Sequence, residues 1–415
     1  MNLYIFSKNC RGAIFGVGTY IRELTFALKN NDIHISVVNL LSDRPQIEIA
    51  EIEGIIHWYI PKPLSKHWSV DDKEQWRLYF HNFVYLLRLH INDKTDLVFH
   101  LNYYLNGSFA NILREAFDCK IVSVAHFSDW GFLIFDNIQR LRRILHEEYL
   151  DSFSENVKKV FKEECPDYTK ADYIICLSHY MQEILCLDYG LDPAKIYIIP
   201  NGLEDRIDFS VDPQLLRRKW HIELDEKIIL LAGRMDEVKG VNFLIRAFHQ
   251  VLENYPNCRL LIAGNGDYNR YLQDAKTIYT KITFTGFLEK AELYELYKIA
   301  DMGVVPSLFE PFGYVPVEMM MHELPIVATA TSGLNEVVDE SCGLKIPLII
   351  SPDNVEIDTS LLAQKIVYLL QNPAEAKQLG KNGRKRYLEK YSSVAFGKNM
   401  IAFYKSLFSQ ETIDQ

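Results

Sequence analysis

The sequence lacks most of the features that mark secreted, metal-held or nucleic-acid-binding proteins. Its seven cysteines are scattered and include no Cys-x-x-Cys pair. That pattern argues against a disulfide framework and a zinc site, and it favours a reducing cytoplasm. Basic residues number 45 against 55 acidic ones. The chain therefore has no basic excess of the kind that a general nucleic-acid binder carries.

Long apolar runs are also missing. The longest stretch without Asp, Glu, Lys or Arg is 17 residues, 97–113, and it contains His, Asn, Gly and Ser, so we expect no bilayer span. The first apolar run is too short for a signal peptide. What is present is a chain of 415 residues with 48% apolar and 24% charged residues. Such a chain suits about two or three globular domains.

Short runs rich in Val and Ile alternate with helical patterns along the whole chain, as in parallel strands buried on both faces. One series starts at 3–6, and a second starts at 228–232. The pattern predicts an α/β protein with two Rossmann-like, doubly wound domains, 1–203 and 204–394, that face a central ligand cleft. We expect one long helix over 138–161. A C-terminal helix at about 395–415 is expected to pack back on one of the domains.

A glycine-rich loop joins the first strand to the first helix. Gly16 and Gly18 let the backbone approach a ligand, and the helix N-terminus offers free N–H groups to a phosphate. A dinucleotide fingerprint needs a third glycine where Ile21 stands, which weakens that alternative. A purely structural tight turn remains open.

A second cluster begins the second series of strands. Arg234 follows the strand and Lys239 precedes the next helix. A guanidinium that forks across two oxygens and a lysine point charge near a helix N-terminus can hold a diphosphate. The alternative is a pair of solvated surface cations.

Two glutamates eight positions apart form a third cluster. Glu310 lies in a loop after a strand, and Glu318 lies in the helix that follows Gly313. A carboxylate can accept two hydrogen bonds from vicinal hydroxyls, so these residues are candidates for sugar and ribose recognition. Taken without context, the spacing also fits an ordinary salt bridge.

In this order, the motifs resemble those of the family 4 retaining glycosyltransferases of the GT-B fold, over nearly the whole chain. The matching residues are Phe15-Gly16-Val17-Gly18, Val122-Ser123-Val124-Ala125-His126, Pro200-Asn201-Gly202, Gly233-Arg234, Lys239-Gly240, Ala263-Gly264-Asn265-Gly266, Thr285-Gly286-Phe287, Glu310-x7-Glu318, Pro325-Ile326-Val327-Ala328-Thr329 and Gly333-Leu334-Asn335-Glu336.

The resemblance implies a role for each matching residue. The catalytic set would be His126 beside the reacting sugar carbon, Glu310 orienting that sugar, and Arg234 and Lys239 binding the diphosphate. The donor-binding set would be Gly16, Gly18, Gly264, Gly286, Phe287, Phe312, Gly313, Tyr314 and Glu318. Within it, Glu318 would hold the ribose and Phe287 would flank the base. Residues 102–104 and 127–130 would wall the acceptor side.

The sequence departs from the family pattern at two places. Phe15 replaces the first of two adjacent glycines, and Glu323 replaces a small turn residue at the end of the Glu318 helix. There we expect a local adjustment of the helix end, with His322 as a helix-end residue and not a ligand. No Asp-x-Asp is present, so we expect no required metal and no cofactor, with cations and helix N-termini supplying the charge.

The sequence therefore predicts a cytoplasmic, metal-independent hexosyltransferase that transfers sugar from a nucleotide-diphosphate donor in glycan or glycoconjugate biosynthesis. The acceptor would be a glycan, a lipid-linked glycan, a peptide or a small molecule. A non-catalytic nucleotide-sugar-binding subunit and a sugar-nucleotide epimerase remain alternatives. The basic stretch 138–145 leaves contact with an inner membrane surface open, since basic amphipathic helices dock on anionic lipid.

Overall fold

The computed structural model of the chain describes residues 1–8, 16–29, 31–63, 72–102, 106–208 and 210–409. These residues form two compact units. The first contains 1–129, 151–202 and the segment that starts at Ser393, and the second contains 130–150 and 203–392. Each unit is built on a mostly parallel sheet. The predicted α/β class with two doubly wound units is confirmed.

In its described part, the first unit has an eight-stranded sheet in the order β3-β4-β2-β1-β5-β6-β7-β8. Only the β3–β4 pair is antiparallel among its described pairs. Strand β5 is buried along its whole length, as expected for a central strand covered on both faces. The strands are β1 Asn2–Lys8, β2 His34–Ser42, β3 Glu48–Ile52, β4 Ile55–Pro61, β5 Leu97–Leu101, β6 Lys120–Ala125, β7 Tyr173–Cys176 and β8 Ile196–Ile198.

Capping residues mark the starts of helices in residues 1–202. Asp72 and Ser178 accept hydrogen bonds from the first free amides of two of them, which is the usual way to satisfy a helix N-terminus. The helices are α1 Gly16–Leu28, α2 Lys73–His90, α3 Asn106–Ala116, α4 Asp129–Ile134, α5 Ile138–His146, α6 Ser152–Thr169 and α7 His179–Leu187. The single helix predicted over 138–161 is wrong, because Asp151 caps a new helix and the chain turns at 147–151.

The second unit has a seven-stranded sheet, among the described residues, in the order β11-β10-β9-β12-β13-β14-β15. Its strands are β9 Lys227–Ala232, β10 Cys258–Ala263, β11 Ile282–Gly286, β12 Met302–Val305, β13 Ile326–Ala330, β14 Gly343–Ile350 and β15 Val355–Ile357. Its helices are α8 Pro213–Lys219, α9 Val241–Asn254, α10 Asn269–Ala275, α11 Lys290–Ile299, α12 Tyr314–Met321, α13 Leu334–Val337, α14 Thr359–Gln371 and α15 Pro373–Arg386.

Segment 130–150 belongs to the second unit although it lies within the first half of the sequence. Helix α5 places Arg143 Nη2 2.6 Å from Asp353 Oδ1 and Arg140 Nη1 2.8 Å from the Asp353 carbonyl oxygen. Asn137 donates to the Ser351 carbonyl oxygen at 2.8 Å. The predicted boundary kept 1–203 together, and the structure differs because these contacts tie the segment to the β14–β15 hairpin. They also engage two arginines of the basic stretch.

The final helix, α16 Ser393–Ser409, packs on α1 in the first unit. Phe396 and Tyr404 are fully buried there. Ser393 donates to the Glu23 carboxylate at 2.9 Å, and Gly397 lets the helix approach Ala27 closely. Across the described ranges, we find no helix that is both long and apolar enough to cross a membrane.

Candidate active site

The loops that follow β9, β10 and β11 are joined into one surface at the carboxyl edge of the second sheet. The Gly233 amide donates to the Ala263 carbonyl oxygen at 2.9 Å, and the Gly264 amide donates to the Gly286 carbonyl oxygen at 2.9 Å. Met235 is bonded in the same way to Asn265. Carboxyl ends of parallel strands are the usual ligand-binding edge of such sheets. The structure thus brings the predicted Gly264 and Gly286 next to the loop of Arg234.

Gly264 is required by close backbone packing. A Cβ atom at this position would lie 1.7 Å from the Gly233 carbonyl oxygen, a distance that no side chain tolerates. Gly286 differs, because its φ of +72° favours glycine but the space around its Cα is open. Phe287, which follows, exposes 55% of its surface. An exposed ring beside an open glycine is suited to stack on a flat ligand.

The two predicted diphosphate-binding cations lie on one loop, and each faces a carboxylate. Arg234 Nη1 is 3.2 Å from Asp236 Oδ2, with about a third of each side chain exposed. Lys239 ends a short 3₁₀ turn, Glu237–Lys239, and its ammonium forms an ion pair with Glu310. Helix α9 begins just after, at Val241. Each of the two cations at this edge is therefore paired with one carboxylate.

Glu310 is held in place by both its backbone and its side chain. Its amide donates to Ser332 Oγ at 3.1 Å, and Ser307 Oγ donates to its carboxylate at 3.5 Å. Its side chain is 14% exposed. The structure brings Glu310 and Lys239 together from positions 71 residues apart. A fixed carboxylate beside a fixed ammonium can orient a sugar hydroxyl while the cation faces a phosphate.

The loop 312–314 presents backbone more than side chains. Gly313 has φ +92° and directly precedes helix α12. The Phe312 side chain is buried and contacts the rings of Tyr391 and Tyr314. Phe312 therefore stabilises the loop through its ring, and only its main chain is available to a ligand. The start of α12 presents backbone amides of a kind that suits an oxygen-rich group.

Glu318 is almost completely buried on α12, at 1% exposure. Its carboxylate forms an ion pair with Lys290 and accepts a hydrogen bond from the Tyr297 hydroxyl at 3.0 Å. Burial beside this carboxylate raises the pKa of Tyr297 well above its ordinary value. Our sequence analysis did not identify Lys290 and Tyr297. Their seven-residue spacing, which puts both on one face of α11, was the available signal.

The unusual segment after Glu318 ends helix α12. Met319, Met320 and Met321 are fully buried, and Glu323 takes a left-handed φ of +57°. His322 Nδ1 lies 2.8 Å from the Glu318 carbonyl oxygen, and burial lowers the pKa of His322 to about 4. The expected helix-end adjustment is what the structure has.

In the first unit, Gly16 and Gly18 form the first turn of α1. Its N-terminal amides have no partner within the helix, which makes the turn suitable for an anion. The preceding part of the predicted loop, including Phe15, lies outside the described residues. So do Tyr103 and Tyr104, two of the residues expected to wall the acceptor side.

His126 follows β6, and its surroundings keep it neutral. Its Nε2 lies 3.0 Å from Asn102 Oδ1, and the Tyr20 ring packs edge-on with centroids 4.7 Å apart. Burial lowers the pKa of His126 to about 3. Nearby, Phe127 is exposed at 37%, whereas Trp130 is completely buried.

Two protein families match the chain in succession. Glycosyltransferase Family 4 matches residues 14–206, and Glycosyl transferases group 1 matches residues 212–386. An uncharacterized glycosyltransferase from Methanocaldococcus jannaschii is 29% identical over 299 residues, which cover 68% of this chain and 75% of the relative.

Solved structures share the fold. Sucrose-phosphate synthase from Thermosynechococcus elongatus has a TM-score of 0.76 at 24% identity, with 98% of this chain and 99% of that one covered. HepE from Anabaena, solved with UDP-glucose, has a TM-score of 0.68 at 15% identity, with 98% and 100% covered. At these identities the likeness concerns the fold alone, and it confirms the predicted GT-B architecture.

Proposed function

The chain belongs to the family 4 glycosyltransferases, and on that basis we propose that it transfers a hexose from a nucleotide-diphosphate donor to an acceptor hydroxyl with retention of configuration. The observation that carries the proposal is the Lys239–Glu310 ion pair at the sheet edge that also bears Arg234. It combines a phosphate-binding cation with a sugar-orienting carboxylate. Glycosyl transfer itself follows from the family, whereas donor, stereochemistry and acceptor are proposals.

The proposed chemistry is mainly electrostatic. As the glycosidic bond to the diphosphate breaks, negative charge grows on the leaving phosphate, and Arg234 and Lys239 stabilise it. Gly16 and Gly18 contact the diphosphate through their amides. The acceptor hydroxyl attacks from the face of the leaving group, and a phosphate oxygen takes its proton. Since these groups supply the positive charge, we propose that no metal ion is required.

The remaining residues orient the donor. Glu310 accepts hydrogen bonds from sugar hydroxyls, assisted by the amides of 312–314, and neutral His126 lies beside the reacting sugar carbon. Glu318 receives the ribose hydroxyls, while Phe287 stacks on the base next to the open Gly286. A buried, ion-paired carboxylate such as Glu318 is rigid, which lowers the entropy lost when it binds ribose.

We propose a cytoplasmic enzyme of glycan or glycoconjugate biosynthesis. The cysteines in the described residues are all free thiols, a pattern that suits a reducing compartment. The HepE structure was solved with UDP-glucose, so UDP sugars come first in a donor panel, followed by ADP and GDP sugars. The acceptor panel contains a free sugar, a sugar phosphate, a lipid-linked sugar and an oligosaccharide.

Replacement of the two cations tests the proposal. Arg234→Ala and Lys239→Ala should each lower kcat/KM, measured as nucleotide release with the best donor. The expected loss of transition-state stabilisation is about 2–4 kcal/mol for each variant. Arg246→Ala is the matched control, because Arg246 is an exposed cation of α9 that pairs with Asp274. Wild-type turnover in the Arg234→Ala/Lys239→Ala double variant would contradict the assignment.

Two further readouts separate the alternatives. Proton NMR of the first product formed gives its anomeric configuration, and an inverted product would exclude the retaining mechanism. Tight donor binding without transfer or hydrolysis, across the whole acceptor panel, would favour a non-catalytic nucleotide-sugar-binding subunit.

A further inference from the structure

Asn102 lies directly after β5 and is 3% exposed, and its amide makes two hydrogen bonds that fix its orientation. Nδ2 is 3.1 Å from the Phe6 carbonyl oxygen of β1, and Oδ1 is 3.0 Å from His126 Nε2. A carbonyl oxygen can only accept, so the NH₂ group must face Phe6. The backbone of β1 therefore decides that Oδ1 faces the histidine.

This orientation determines where His126 carries its hydrogen. Amide oxygen Oδ1 can only accept, so Nε2 of His126 must be the donor. The ring is neutral, because burial lowers the pKa of His126 to about 3. In a neutral imidazole only one nitrogen bears hydrogen, so Nδ1 has a lone pair. Within the described ranges, Nδ1 makes no hydrogen bond to the protein.

The other side of the imidazole is held by an aromatic contact. Tyr20 packs edge-on against His126 with an interplanar angle of 78°. The Tyr20 hydroxyl is itself 3.1 Å from His100 Nε2, and the Tyr404 hydroxyl is 2.9 Å from His100 Nδ1. All three of these supporting residues are fully buried. His126 is thus constrained by a hydrogen bond on one side and a fixed ring on another.

We propose that Asn102 is a positioning residue that holds His126 in the tautomer with hydrogen on Nε2, so that Nδ1 accepts a hydrogen bond from a substrate hydroxyl. The inference rests on the proposed function only for the place of His126 beside the reacting sugar. The tautomer of His126 can be tested without any enzymatic activity. An Nδ1 that carried hydrogen would instead donate to the hydroxyl oxygen, so the tautomer decides in which direction this hydrogen bond runs.

The tautomer is measured on the full chain with ¹⁵N-labelled histidine, by long-range proton–nitrogen correlation at pH 7. His126→Ala identifies the signals of His126. We expect hydrogen on Nε2 in the wild type and a tautomer mixture in Asn102→Ala. Asn39→Ala is the matched control, since Asn39 Nδ2 also donates to a backbone carbonyl, that of Trp58 at 3.2 Å; it should leave the His126 signals unchanged. Hydrogen on Nδ1 in the wild type would overturn the inference, even if Asn102→Ala does not fold.

The effect of Asn102 on catalysis is tested by a double-mutant cycle in which kcat is measured with the best donor. Asn102→Ala should lower kcat by about 100-fold through misplacement of a reacting partner, and Asn39→Ala should stay within about twofold. Because Asn102 acts through His126, adding Asn102→Ala to the His126→Ala variant should not lower kcat further. An equal loss in both backgrounds would refute the positioning role. If the wild type transfers no sugar at all, the proposed function fails, while the spectrum still decides the tautomer.

Discussion

Glu323 shows how one residue can carry local strain at the edge of a site. It adopts φ +57° directly after the helix that bears Glu318. A left-handed conformation costs a side-chain-bearing residue about 1–2 kcal/mol. The family pattern has a small residue here, and this chain has a glutamate. The departure is therefore a source of local strain close to the helix that carries Glu318.

We predict that Glu323→Gly stabilises the protein by about 0.5–1 kcal/mol, because relief of the strain exceeds the entropy that glycine loses on folding. Urea denaturation measures the change. Gln364→Gly is a control with the opposite expected effect. Gln364 is exposed in the middle of α14, where glycine should lower the free energy of unfolding by about 1 kcal/mol. A loss of stability in Glu323→Gly would show that the glutamate has an interaction that compensates for its conformation.

The sequence pattern singled out candidate site residues one at a time, and it could not identify partners that come from other elements. Arg234, Lys239 and Glu310 follow from charge and position after strands. The partners Lys290 and Tyr297 lie on a separate helix and reach Glu318 only in the folded protein. Asn102 was expected to be a wall residue, since one sequence cannot show that its amide faces Phe6.

At the scale of elements, two buried carboxylates of α6 accept hydrogen bonds from the first amides of helices α3 and α4. Asp167 accepts from the Gly107 amide at 2.8 Å, and Glu164 accepts from the Asp129 amide and, at 2.5 Å, from the Tyr189 hydroxyl. Burial raises the pKa of Glu164 to about 8. The helix therefore holds the residues just after His126 through a group that titrates near neutrality.

The pKa of Glu164 predicts how stability changes with pH. The folded value, about 8, lies above the ordinary 4.5, so the folded state binds the extra proton and stability is lost as pH rises from about 4.5 to about 8. Glu164→Gln keeps an acceptor for Asp129 and removes the titration. Its urea midpoint should match the wild type near pH 4.5 and exceed it at pH 8. Glu163→Gln, at a partly exposed neighbour paired with Lys73, should show no such trend.

The joined glycine loops of the second sheet predict a contrast between two similar substitutions. Gly264→Ala forces a Cβ atom against the Gly233 carbonyl. It should lower the free energy of unfolding by about 3 kcal/mol or more and abolish donor binding. Gly286→Ala places its Cβ atom in open space. It should lower the free energy of unfolding by only about 1 kcal/mol, because of its backbone conformation. Denaturation and nucleotide titration measure both. Equal costs would show that the loops separate easily.

Across the whole molecule, sequence patterns predicted the two sheets but could not assign every helix to a unit. Continuous apolar runs at 3–6 and 228–232 correctly predicted the first strand of each sheet, because parallel strands are buried on both faces. The helix periodicity of 138–146 shows an apolar face without showing which sheet it covers. Its place in the second unit depends on Arg140 and Arg143 meeting Asp353, residues about 210 positions away.

Helix α16 predicts what deletion does at this scale. Phe396, Met400 and Tyr404 are fully buried in the first unit, and each such side chain contributes about 1.5–3 kcal/mol. A chain ending at residue 392 should therefore lose the folded first unit, seen as missing amide signals from β1, β5 and β6. Tyr404→Phe keeps the packing of the ring and removes only the hydroxyl, so it should lower the free energy of unfolding by only about 1 kcal/mol. A folded first unit in the truncated chain would contradict this prediction.

The division of the chain into interleaved segments has a consequence for the order of events during translation. Strands β1 to β8 leave the ribosome before helix α16, which completes the core of their unit. The second unit has all its segments once residue 392 has emerged. First-unit strands must therefore remain unaggregated while the whole of 203–392 is synthesised, so the first unit should need chaperones more than the second.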